Sequence, residues 1–524
     1  MAKPPRVRPL PLRGLLRLNR PADIWPKPAF SAALAMAVPD LVLLALGRLD
    51  LALYTAAGAL CALYGHDRPY AARARTVAWV VLGAVAGTGA ALTCAALVPS
   101  TAVLVLLAAL VAAVHKVLCD ATRIGPPGNI VLTFVTSTMF FVPQRIGDVP
   151  AHLGLVLAAG AFAWLVCMAP APIRPHGPER IAVARALEAA DRLLRAEPSG
   201  LARARHATAA ASGAARRALA GAPAHVAGPL HHLVLQAEAA LAGHGGDAGQ
   251  PADRARALRK GEPLPESATP PPPLDAPSGT LADRLRPGSP LLPAGARVAV
   301  GGTLAGWASL AVGSTHPYWA VVTAASVFQA NTTLSWQRAV QRVVGNLLGL
   351  ALFTALLPLT RSGAVAMVLT ALALQVGAEA FISRNYWLGT LCVTPMALLL
   401  NEFAGSKPAA QLIGDRWTDT LVGAAVGLLT CVLVTNRRAA DRTEAALARA
   451  REARHAAAAA PADPGPHRDR LAAALVELRE AADVAAGEWW QRALPDERVA
   501  EEEREGHRTL AALAGRLPAR ATAA

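Results

Sequence analysis

Apolar residues in this chain come in long runs of Leu, Ala, Val and Gly, interrupted by polar positions rather than alternating with them. A membrane-crossing helix needs about 20 mostly apolar residues, and two stretches supply such runs in series. The first predicts helices near residues 29–47, 49–64, 76–98, 101–118, 127–143 and 150–170. The second predicts helices near 296–313, 316–331, 338–358, 361–381, 384–401 and 412–436. The expected fold class is therefore all-α: a polytopic helical membrane protein of about twelve transmembrane helices, arranged as two parallel six-helix repeats with helical regions outside the membrane.

The repeat rests on residues shared in order. Thr55-Ala56-Ala57 recurs as Thr323-Ala324-Ala325, and Gly83 and Gly87 recur as Gly345 and Gly349. Arg123, Gly128 and Thr133 recur as Arg384, Gly389 and Thr394, each 261 residues later. Six crossings return the chain to the side it started from, so both copies enter alike. Basic residues set the orientation. Connections on one side carry Arg68, Arg73, Arg75, Lys116, Arg123, Arg338, Arg342, Arg384, Arg437 and Arg438; the other side carries Arg48, Arg145, Arg361 and Lys407. Both termini and the long middle segment are expected in the cytoplasm.

Charge sharpens this organisation. Of 524 residues 54% are hydrophobic and 17% charged, and the two apolar blocks hold only 23 of the 87 Asp, Glu, Lys and Arg residues. The chain divides into a basic arm (1–28), a membrane block (29–170), a helical region (171–260), a Pro-rich linker (261–293), a second block (294–436) and a helical tail (437–524). The arm is too long and Pro-rich for a cleavable leader; Leu10–Leu18 is expected to lie as an amphipathic piece on the membrane surface. In 178–260, Leu187, Leu193, Leu194, Leu201 and Leu219 supply an apolar stripe, and Pro198-Ser199-Gly200 and Gly221-Ala222-Pro223 break the helices. Pro270–Pro273 marks the linker, and Trp489-Trp490 separates two helices of the tail. A net charge of +15 in a soluble chain would point to nucleic acid. Here no recognition module accompanies it, and basic residues flank membrane helices, so the partner expected is the lipid bilayer. Ala, Gly, Arg and Pro bias points to a high-GC bacterium and its plasma membrane.

No catalytic set is legible, and no enzyme is expected. Walker A, zincin and nucleophile-elbow patterns are missing, and Cys61, Cys94, Cys119, Cys167, Cys392 and Cys431 lack paired spacing, so neither a cofactor nor a metal site is expected. Gly301-Gly302-Thr303-Leu304-Ala305-Gly306 opens a membrane helix, which favours close packing over dinucleotide binding. His225, His231 and His232 read as solvated. The informative residues are charges at membrane depth, which are costly and face a partner or a cavity. Asp40 and Glu379 are candidates for proton coupling, Arg416 and Asp419 for an intramembrane ion pair, and Arg338, Arg342 and Arg384 for an anion-attracting mouth between the two halves.

His316-Pro317-Tyr318-Trp319-Ala320, Gln337-Arg338, and Gln341-Arg342-Val343-Val344-Gly345-Asn346-Leu347-Leu348-Gly349 resemble the fusaric-acid-resistance integral membrane transporter domain. Asn385-Tyr386, Val393-Thr394-Pro395 and Arg416-Trp417-Thr418-Asp419-Thr420-Leu421-Val422-Gly423 extend the likeness over about 316–430. Asn346 departs from it, standing where the family usually has Thr. That family includes aromatic carboxylic acid exporters and resembles plant aluminium-activated malate channels. The resemblance implies export of small organic anions driven by the proton gradient, with Tyr318, Trp319 and Thr394 joining the arginines as substrate-pathway candidates. The alternatives are a passive anion channel, separated by proton dependence of flux, and a non-transporting scaffold whose outer helices bind a partner. A homo-oligomer is compatible with either.

Overall fold

A computed structural model describes residues 14–241, 249–263, 281–286, 289, 291–403, 408–433, 439–459, 464–488 and 495–516. The expectations for Lys407, Arg437, Arg438, Pro270–Pro273, Trp489-Trp490 and the arm up to residue 13 lie outside these residues. Regular structure among the described residues is helical throughout. The first membrane block comprises α1 (Pro26–Ala45), α2 (Ala52–Ala59, extended by single turns to Leu49–Leu63), α3 (Tyr70–Leu97), α4 (Thr101–Thr122), α5 (Ile130–Met139) and α6 (Val149–Met168). Four helices follow, α7 (Gly177–Leu194), α8 (Leu201–Leu219), α9 (Ala224–Leu241) and α10 (Gln250–Lys260), then the single turn α11 (Leu281–Arg284). The second block is α12 (Leu291–Ala311), α13 (Tyr318–Val327), α14 (Thr332–Thr360), α15 (Ala364–Ile382), α16 (Tyr386–Phe403) and α17 (Ala409–Leu433). The tail adds α18 (Ala439–Ala459), α19 (Pro464–Ala486) and α20 (Asp496–Arg516).

Each of the twelve predicted apolar segments is a helix, and seven are long and apolar enough to cross a membrane: α1, α3, α4, α6, α14, α15 and α17. The protein is a polytopic helical membrane protein. The expectation of twelve full spans needs correction, because α5 and α13 have ten residues each. Ten residues rise about 15 Å, half of a hydrocarbon core about 30 Å thick. Such short pieces survive because they are wrapped in protein: every residue of α13 is buried, and so is every residue of α2. Lipid-facing positions carry the opposite signature, with Trp79, Leu97, Leu165, Leu304, Leu369 and Leu433 exposed on the membrane helices.

The two blocks share one set of helix neighbours. In each, the first element packs on the second and sixth, the second on the sixth, the third on the fifth and sixth, and the fourth on the fifth. Contacts between blocks are reciprocal: α12 packs along α4, and α1 along α15, so each first element meets the other block's fourth. Small residues allow this approach. A Cβ on Gly306 would fall 2.4 Å from Val105 Cγ1, and one on Gly302 3.2 Å from the Ala109 Cβ. The glycine-rich run at 301–306 is thus close packing, as its place in a membrane helix implied.

The charged helices form a layer against one end of the bundle, the near side. α8 packs on α19 and α9 on α20, so the middle segment and the tail share one layer. Leu187, Leu193 and Leu219 lie in its core. Arg216 pairs with Glu238 and with Asp469, joining the two segments. His231 is buried in this layer rather than solvated, and burial pushes its ring down to about 4. The layer docks on α14 through the end of α19: Thr333 N donates to Gly487 O at 3.0 Å and Thr332 Oγ1 to Glu488 Oε2 at 2.8 Å.

Candidate functional site

The short helix α13 packs on α17, α12, α5, α4 and α14, and a column of buried polar groups runs from its side chains to those of α14, α16 and α17. Asn346, at the middle of α14, is its hub. Its Oδ1 accepts from Thr394 Oγ1 at 2.9 Å and from Arg416 Nε at 3.2 Å. Its Nδ2 donates to Thr420 Oγ1 at 2.7 Å. One helical turn nearer the charged layer, Arg342 donates from Nε to Thr323 Oγ1 (3.2 Å) and from Nη1 to Tyr386 OH (2.7 Å). Arg338 stacks its guanidinium 3.9 Å from the centre of the Tyr386 ring. Tyr386 therefore receives both arginines of the predicted mouth, which do share one face of α14.

Toward the far side the column continues through aromatic rings. The Arg416 guanidinium lies 5.0 Å from the Trp319 ring, and Trp319 stacks on His316 with centroids 4.7 Å apart. His316 Nδ1 lies 2.7 Å from Asp415 Oδ2, and Thr315 Oγ1 donates to the same oxygen. Tyr318 points to the side, its hydroxyl donating to Asn401 Oδ1 at 3.0 Å and its ring meeting Phe141 of the first block.

The expected ion pair between Arg416 and Asp419 is not formed. Three residues along a helix differ by about 60° in direction, and here each side chain turns to a different neighbour. Arg416 faces α14, whereas Asp419 takes hydroxyls from Ser309 of α12 and, at 3.0 Å, Ser314. Arg416 is 3% exposed, and its Nη1 has no hydrogen-bond partner; nor has the indole Nε1 of the fully buried Trp319. Two unused donors, one of them cationic, thus sit together at membrane depth. A buried guanidinium with spare N–H groups is costly unless an anion or water completes it.

Other predicted residues fall elsewhere. Asp40 is buried in α1, which packs on α2, α6 and α15, and its Oδ2 has no partner. No hydrogen bond among the described residues joins Asp40 or Glu379 to the column. Arg384 closes α15 near the mouth, its Nε buried and unpartnered. The column also lies within the second block rather than between the halves, where α12 and α4 meet through small apolar residues. Sequence reasoning missed Asn346, Thr323, Thr420, Tyr386, His316 and Asp415 as site residues.

Residues 14–25 cross the near-side ends of α14, α15 and α16 as a strap: Leu15 O accepts from Gln341 Nε2 and Asn385 Nδ2, Asn19 N donates to Arg384 O at 2.8 Å, and Ala22 N donates to Ser383 Oγ. Leu15 is buried. Of the expected surface piece, Leu15 is seated on protein while Leu16 and Leu18 are exposed; polar side chains at the helix ends hold its backbone through the carbonyls of Leu15 and Arg17. Asp23 ties the strap to the charged layer through Arg185 (2.7 Å) and Arg259 (2.8 Å).

Residues 304–430, from within α12 to within α17, match the family model described as fusaric acid resistance protein-like. Over this stretch the second membrane block is similar to that family. The whole column from Asp415 to Arg338 falls inside the matched residues. The uncharacterized membrane protein YvaC of Bacillus subtilis (strain 168) is 34% identical over 136 residues, which is 26% of this chain and 21% of that protein. The uncharacterized protein slr1298 of Synechocystis sp. (strain ATCC 27184 / PCC 6803 / Kazusa) is 29% identical over 140 residues, 27% of this chain and 18% of that one. The chain thus spans about a fifth of the length of these relatives. No solved structure matches it.

Proposed function

We propose that this protein is a transporter of small organic anions, exporting aromatic carboxylates across a bacterial plasma membrane with both termini in the cytoplasm. One observation carries the reading: the buried Arg416, its Nη1 unpartnered, set over the Trp319 ring beside a second unused donor. A carboxylate would complete the guanidinium, and a flat ring would stack where Trp319 and His316 already do. Short helices at matching positions of two repeats are where transporters build substrate sites, and α13 is such a piece. The basic connections of the near side support its cytoplasmic assignment. Proton coupling is assigned to Asp419, Asp415 and His316 at the far end of the column, ahead of Asp40 and Glu379, which no hydrogen bond links to it.

The test is flux in proteoliposomes holding a radiolabelled aromatic acid such as benzoate. Wild type should move it faster when an imposed pH gradient favours exchange, and Arg416→Gln should cut the rate at least about tenfold, the worth of one charge-assisted hydrogen bond. Flux that ignores collapse of the pH gradient would make the protein a passive channel. An unchanged rate in Arg416→Gln would remove the site from the mechanism.

A further inference from the structure

Where the middle segment meets the tail, α8, α19 and α20 border a half-open cavity of about 230 Å³. Its polar lining is Arg205 and His206 from α8, Arg479 from α19, and Glu503, Arg504 and His507 from α20. Glu503 is paired with Arg479. Arg205 and Arg504 have no hydrogen-bond or ion-pair partner among the described residues, and His507 Nδ1 is buried without one. Elsewhere in the same layer several half-buried arginines have carboxylate partners: Arg216 has Glu238 and Asp469, Arg259 has Glu188 and Asp23, and Arg454 has Glu502 and Glu505. At the cavity Arg205 is half-buried and Arg504 stands at its exposed rim. Three arginines against one carboxylate leave two positive charges around one small space, histidines taken as neutral. Such a gathering repels itself, and screening is weaker in a half-enclosed site than at open surface. Burial, with the fields of Arg205, His206 and Arg479, pushes the His507 ring down to about 4.

We propose that this cavity binds a small dianion, a dicarboxylate or a phosphate, held by Arg205 and Arg504 with the His507 ring as a further contact. The charge left over sets the valence of the ligand. The volume sets its size, below the range of about 300–1,000 Å³ that drug-sized ligands occupy. An occupant touches α8, α19 and α20 at once and so clamps the middle segment to the tail. One wall, α19, ends on the start of α14, the helix that carries Arg338, Arg342 and Asn346. The binding itself is independent of what the membrane block carries.

The experiment uses the full chain in lipid nanodiscs, titrated by calorimetry with succinate and with inorganic phosphate, against sodium chloride at equal ionic strength. Saturable binding by either probe at sub-millimolar concentration is expected, and which probe binds tells a carboxylate site from a phosphate site. Arg205→Gln with Arg504→Gln should weaken it at least tenfold. Neither partner is lost from a bond by these changes. Should the double variant not fold, NMR of labelled histidines in the wild type decides: the His507 resonance should shift with the probe and its titration should move upward. Binding that is missing, equal in the variant or matched by chloride would overturn the proposal, as would a His507 signal that ignores the probe.

Discussion

In the first membrane block Arg73 enters from the third element and is satisfied by backbone: its guanidinium reaches the carbonyls of Gly65, His66, Arg68 and Cys167. In the second block Arg342, also from the third element, bonds among the described residues only to the hydroxyls of Thr323 and Tyr386, and Arg416 above it keeps an Nη1 with no partner among them. The helix neighbours are the same in both blocks. What differs is whether the buried cation is closed off by fixed carbonyls or held by side chains that rotate. Hydroxyls can release a guanidinium to a passing anion, whereas carbonyls of packed segments cannot. On the proposed function, the first block would be the scaffold and the second the working half. Among the described residues, the unpartnered buried polar atoms of the first membrane block are the hydroxyls of Thr88 and Thr136, the ring of His115, near Gly87, and the carboxyl of Asp40; none of them is a guanidinium.

The largest effect should separate the two arginines. Arg73→Gln leaves several buried carbonyls unpaired, each costing about 1–3 kcal/mol, so the yield of folded protein on size-exclusion chromatography should collapse. Arg342→Gln should leave that yield intact and lower benzoate flux per inserted molecule several-fold, more so with Arg338→Gln; Lys should retain part as a point charge. If Arg73→Gln inserts normally and loses only flux, the first block is part of the pathway and the contrast fails.

A smaller effect tests how far the two blocks are copies. Gly345 is pressed against α16, and a Cβ there would fall 2.5 Å from Trp387 O. Its counterpart Gly83 has nothing within 4 Å. Gly345→Ala should lower thermal stability in detergent by about 1–3 kcal/mol, as overpacking does. Gly83→Ala should raise it by about 0.5–1 kcal/mol through helix propensity. Equal losses at both would mean that Gly83 meets a helix this packing does not reveal.

Much of the architecture was legible because hydropathy and length are local properties. The twelve segments, the two blocks and the shared layer follow from runs of apolar residues and their breaks. Helix length was misjudged where a run continued past the helix: the segment read as 316–331 includes Pro317 at one end and Gln329 to Asn331 at the other, which leave only Tyr318–Val327 helical. Asn331 accepts from Leu334 N and caps α14, a signal present in the sequence that would have shortened the segment. Of the site candidates, Trp319 and Thr394 came from the family likeness and Arg342 from its charge at membrane depth, and all three stand in the buried polar column. Asn346 stood out only as a departure, since its role depends on residues 48, 70 and 74 positions away. The Arg416–Asp419 pair was misread for the same reason: spacing shows that two charges can meet, not that Asn346, Ser309 and Ser314 stand nearer.

The smallest effect concerns the strap, which covers one half only. Arg123 and Arg384 end the fourth element of their blocks, yet the Arg123 carbonyl accepts from Arg68 within its own half, whereas the Arg384 carbonyl accepts from Asn19 of the strap. A cover over the working half alone should slow entry at its near-side mouth. Burial would raise the Asp23 carboxyl, but hydrogen bonds and charge from Arg185 and Arg259 outweigh it and hold it at about 2. Because that value is lowered from 3.8, the tie is fully present above pH 3.8 and is lost only as pH falls through about 2. Acidification to pH 5 should therefore leave the strap in place. Asp23→Asn removes the charge at every pH and should raise flux about twofold at pH 7, with protease cleavage near residues 17–20 becoming faster. Faster cleavage with unchanged flux would show that the strap rests on the mouth without closing it, and the asymmetry between the halves would then lie in their buried arginines alone.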